Sequence, residues 1–126
     1  MRNVPILMVA VLLASGCVQP PIPAGAKIVD ITPSGFSPAM LAIKEGDTVA
    51  FVNKDASAHQ PASAMHPTHT VYPEGGGCIG SKFDACRPLA QGEHFDFTFT
   101  HKGEWRYHDH LNCCTNTGFF GTIVVE

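Results

Sequence analysis

Apolar and polar residues alternate in short runs along this chain, and Gly, Pro and Asp separate the runs. A period of two places successive side chains on opposite faces, which is strand periodicity. Lys27–Thr32 (KIVDIT) is the first run, and a turn at Pro33, Ser34 and Gly35 leads to a second over residues 36–43. Lys44, Glu45, Gly46 and Asp47 form a turn signal. Thr48–Asn53 follows, with Val49 and Phe51 on one face. Residues 93–100 alternate cleanly, Phe95, Phe97 and Phe99 one way and His94, Asp96 and Thr98 the other. Residues 104–110 alternate again, with Trp105 and Tyr107 together, and residues 121–126 form a last run. No stretch has the i, i+3, i+4 spacing of an amphipathic helix. The pattern predicts an all-β chain of about seven short strands with sandwich-like spacing.

Residues 54–92 break the pattern and hold most of the Gly, Pro, His and Cys. Long irregular segments inside compact domains are usually functional or disordered, and the two cysteines here argue for order. The N-terminus is a separate object. Arg2, an apolar run over residues 6–14 and the small residues Ala14, Ser15 and Gly16 read as a signal peptide over residues 1–16. The small residues end at Cys17, as at a lipid-modified cysteine. Pro20, Pro21 and Pro23 then suit an extended tether over residues 17–26. The expected domain is residues 27–126, in an exported protein, periplasmic or cell-surface, anchored through Cys17.

The chain has 126 residues and a net charge of −3 with neutral His, and it has no basic run. Nucleic acid is therefore not an expected partner, because phosphate binding needs clustered Lys and Arg. No Ser-His-Asp order, paired-carboxylate motif or phosphate loop points to an enzyme.

All seven histidines lie between residues 59 and 110. His94 and His101 read as surface residues. His66 and His69, in the loop sequence HPTH, either converge on a site or are solvated. His108 and His110, one residue apart on a strand, project to the same face. His59 follows an earlier strand. Neutral imidazole suits copper and zinc, so His59, His108 and His110 are the first candidate ligands, with His66 and His69 as possible additions. Asp109 points to the other face of its strand, where it could orient neighbouring groups or cap the strand end.

Four cysteines remain after Cys17, and an oxidising compartment permits disulfides between them. Cys78–Cys86 is the simplest pairing and would staple the Gly-rich segment. Cys113 and Cys114 are then free, paired elsewhere or bound to metal. Crossed pairing, Cys78 with Cys113 and Cys86 with Cys114, is the alternative.

These residues together resemble the cupredoxin family. Phe36-Ser37-Pro38 and the run from Ala42 to Asn53 look like its opening strands, and residues 121–125 look like its last strand. His59 stands where the family places its first copper histidine, and Tyr107-His108-Asp109-His110-Leu111-Asn112 stands at its ligand-bearing loop. The usual blue-copper loop supplies Cys, His and then Met. Here no Met follows His110, and Cys113-Cys114 comes after it. The resemblance implies a Greek-key β-sandwich, copper as cofactor, and a monomeric, membrane-tethered electron carrier with a redox partner protein. Copper storage or delivery through an all-histidine site is the second expectation. A metal-free interaction module is the third.

Overall fold

The computed structural model describes residues 18–113 and 119–126. Among these residues, eight strands occur in the order β1 Lys27–Thr32, β2 Gly35–Ser37, β3 Met40–Ile43, β4 Thr48–Asn53, β5 Pro61–Ser63, β6 His94–Thr98, β7 Gly103–Asp109 and β8 Phe120–Val125. They form two four-stranded sheets, ordered β2-β1-β4-β6 and β3-β8-β7-β5. β1 pairs parallel with β4, and β3 parallel with β8. The fold is the expected all-β sandwich.

Alternation explains which residues fill the space between the sheets. Val29 and Ile31 of β1, Phe51 of β4, Tyr107 of β7 and Ile123 of β8 are at most 1% exposed and belong to one core. Phe51 sits at its centre, with ring centroids 5.6 Å from Phe83 and 5.2 Å from Tyr107. Full burial of each such side chain stabilises by roughly 1.5–3 kcal/mol. The long segment between β5 and β6 contributes Tyr72, Phe83 and Leu89 to the same core. It is therefore anchored from inside, and its backbone is fixed where the histidines emerge.

Three expectations change. The run over residues 36–43 is two strands, β2 and β3, in opposite sheets. Pro38 lies between them; it has no N–H to give a ladder, so the chain leaves one sheet there and joins the other. The long segment contains a strand of its own, β5, which pairs antiparallel with β7. His94 is buried, with Nδ1 2.8 Å from Asp96 Oδ1 and Nε2 2.8 Å from the carbonyl of Pro20. Gln19 accepts the His94 N–H at 3.0 Å. The start of the expected tether thus packs on β6 and covers this histidine.

Candidate metal centre

β7 sets the geometry of the centre. Tyr107 and Asp109 point inward, and Arg106 and His108 point to the outer face of their sheet. His110 lies one residue beyond the strand, where its N–H donates to the Gln60 carbonyl at 2.8 Å. On the neighbouring strand β5, Ala62 stands opposite His108. After β5 the chain folds back, with Ala64 N–H on the Arg106 carbonyl at 2.9 Å and His69 N–H on the Met65 carbonyl at 2.8 Å. That turn carries His66 and His69 onto His108 and His110.

The four imidazoles form one cluster, with a potential ligand atom of each within 4.8 Å of the others. His69 Nε2 lies 3.1 Å from His110 Nδ1. Ring centroids are 4.9 Å apart for His69 and His108 and 5.0 Å for His66 and His110. An ion bound at about 2 Å by imidazole nitrogens holds them roughly 3–4 Å apart. The cluster needs only a small contraction to match, so these residues could hold a metal ion.

Three features favour that fit. His108 is 1% exposed, yet both of its ring nitrogens lack a hydrogen-bond partner among the described residues. Buried polar atoms are normally satisfied, and a metal is one partner that a neutral imidazole can take. Burial pushes the His108 pKa down to about 4, helped by the neighbouring His69, His66 and His110. The ring is therefore neutral at pH 7, the form that ligates metals. His69 is fully buried with a left-handed φ of 54°. A non-glycine residue held there stores about 1–3 kcal/mol, and such strain gathers at functional positions. Its Nδ1 is held by Asp84 Oδ2 at 2.7 Å, which leaves Nε2 facing the cluster.

His59 is not brought into this group. Its Nδ1 lies 2.6 Å from Asp109 Oδ2 and its Nε2 2.8 Å from Asp55 Oδ2. Both nitrogens are committed to carboxylates, and Asp109 faces away from His108 because the strand alternates. Burial pushes the Asp109 carboxyl up, but bonds from Asn112, Gln60 N–H, His59 and Leu111 N–H outweigh it and leave it below the ordinary value. The position expected to hold the first ligand is thus a hydrogen-bonded His–Asp pair. His66 and His69, ranked below His59 in the sequence, are the residues that join His108 and His110. His101 is exposed, as expected.

Cys78 and Cys86 are joined in a disulfide. Cys113 is also disulfide-bonded, so it offers no thiolate to a metal. Cys17 and Cys114 lie outside the described residues. Asp84 was not anticipated. An Asp two residues before a Cys carries no signal of its role until folding buries it against His69.

No family model matches the chain. It is 30% identical over 103 residues to amicyanin from Paracoccus denitrificans, an alignment covering 81% of this chain and 66% of that protein's length. It is also similar to the solved structure of an amicyanin mutant in the Cu(I) form, with TM-score 0.60 and 25% identity over 83% of this chain and 86% of that one. A purple cupredoxin from Nitrosopumilus maritimus superposes with TM-score 0.59 at 21% identity, over 79% of this chain and 99% of that one. Paired sheets, parallel β1–β4 and β3–β8 contacts and these likenesses agree with one another: the chain belongs to the cupredoxin family.

Proposed function

We propose that this protein binds one copper ion through His66, His69, His108 and His110 and serves as an electron carrier to a redox partner protein. The observation that carries the reading is His108, a neutral, buried imidazole among three others, whose two nitrogens have no hydrogen-bond partner among the described residues. Imidazole donors suit copper, which also binds most tightly among the divalent first-row metals. The likeness to amicyanin, one structure of which is a Cu(I) form, supports copper and electron transfer. Copper would supply a one-electron couple. The chain's part is to hold the ligands still: His69 and His108 are buried and fixed, which limits rearrangement between oxidation states, while His66 reaches solvent.

A second reading, copper capture and delivery, is favoured by one observation. Met65 is 68% exposed beside His66, so a soft donor stands at the entrance. The Cys78–Cys86 disulfide supports an exported protein in an oxidising compartment. Lipid attachment at Cys17, behind a signal peptide over residues 1–16, completes the proposal from the sequence.

The test is to load the protein with Cu(II), remove the excess, and follow it by metal analysis, visible absorption, electron paramagnetic resonance and voltammetry. The proposal expects one copper per chain, nitrogen ligation, weak visible bands and reversible one-electron reduction. Release of copper on reduction would favour delivery. No retained copper, or an intense thiolate-to-copper band, would contradict the centre as drawn.

A further inference from the structure

We infer that Asp84 is the positioning residue of this centre: it fixes His69 as an Nε2 ligand, and the turn closed by the Cys78–Cys86 disulfide holds it there. The inference rests on the copper reading above. Asp84 is 4% exposed, and each of its carboxylate oxygens is used. Oδ2 accepts from His69 Nδ1 at 2.7 Å. Oδ1 accepts from Gln60 Nε2 at 3.0 Å and from the Cys86 N–H at 2.8 Å. With Nδ1 protonated toward Asp84, His69 can ligate only through Nε2, the atom 3.1 Å from His110 Nδ1. A carboxylate on the remote nitrogen of a ligating histidine fixes its tautomer and orientation and raises its basicity.

The same turn also grips the backbone of His69. Ser81 N–H donates to the His69 carbonyl at 2.8 Å. A Cβ on Gly80 would lie 2.1 Å from the Thr68 carbonyl oxygen and 2.7 Å from that of His69, so only glycine allows this approach. Cys86, whose N–H reaches Asp84, has a left-handed φ of 58°. Cys78 and Cys86 are both exposed, and their bond closes the turn from outside. Gln60 joins the two halves of the centre, since its side chain reaches Asp84 and its carbonyl accepts the His110 N–H.

The experiment measures Cu(II) affinity by chelator competition for the wild type, Asp84→Asn, Asp84→Ala, His69→Ala and His69→Ala combined with Asp84→Ala. The nitrogen signals of His69 in the metal-free protein are recorded alongside by NMR. Asp84→Ala should weaken binding about 10- to 100-fold. Asp84→Asn, which keeps an acceptor for Nδ1–H, should lose less. In the His69→Ala background, removing Asp84 should add little. Cys78→Ser with Cys86→Ser should weaken binding several-fold, and not further once Asp84 is gone. The metal-free wild type should carry its His69 proton on Nδ1. Unchanged affinity in Asp84→Ala, an equal loss with and without His69, or a proton on Nε2 would overturn the positioning role. Undiminished affinity without the disulfide would overturn the part given to the turn. Wild-type protein that retains no copper would instead overturn the copper reading, and the inference built on it.

Discussion

Burying an imidazole with neither nitrogen hydrogen-bonded costs roughly 1–3 kcal/mol per unsatisfied group, and His108 is in that position. Replacing it with Leu should therefore raise the metal-free unfolding midpoint in urea while abolishing metal retention. The same residue sets a pH dependence. Its folded pKa is near 4, below the ordinary 6.5, so the unfolded chain takes up the proton first as pH falls. Above pH 6.5 the ring is neutral in both states and adds no pH-dependent penalty, whereas between about 6.5 and 4 the folded state loses up to about 3 kcal/mol relative to the unfolded chain. Urea midpoints of the metal-free protein across that window should fall with falling pH, and His108→Leu should flatten the slope. His108 and His110 were legible in the sequence because strand alternation alone puts them on one face. His66 and His69 were visible only as loop residues, since the turn that returns them is fixed by Tyr72 and Phe83 entering the core. Nothing in the spacing of the chain encodes that. Alternation turns Asp109 away from His108, but only the folded chain brings it to His59, 2.6 Å from Nδ1.

At the scale of elements, strand boundaries followed the alternation closely, and the departures have local causes. Pro38 divides β2 from β3 because it cannot continue a ladder. Between β7 and β8, Gly121 leaves room for the Tyr107 side chain opposite it. A Cβ on Gly121 would lie 2.3 to 2.6 Å from ring atoms of Tyr107, which is itself 1% exposed. Gly121→Ala should overpack the core and destabilise by about 1–3 kcal/mol, read as a lower thermal midpoint. Because Tyr107 directly precedes His108, the same variant should also weaken copper binding. A full loss of stability with intact copper affinity would show that the outer face of β7 is insulated from its core face.

For the molecule as a whole, a ligand that binds only the folded state stabilises it in proportion to the logarithm of its free concentration over Kd, about 2.7 kcal/mol at a hundredfold excess over Kd. Copper should thus raise the thermal midpoint of the wild type and leave that of His108→Leu unchanged, as calorimetry would read. The sandwich itself was legible from alternation and turn signals, and the likeness to amicyanin agrees with it. Four imidazoles gather on the outer face of β7, away from His59. Copper content and electron paramagnetic resonance of His59→Gln and His108→Leu, loaded side by side, test that placement most directly. One nitrogen-ligated copper is expected in His59→Gln and none in His108→Leu. Copper lost from a folded His59→Gln and kept by His108→Leu would return the centre to His59 and overturn the four-histidine site.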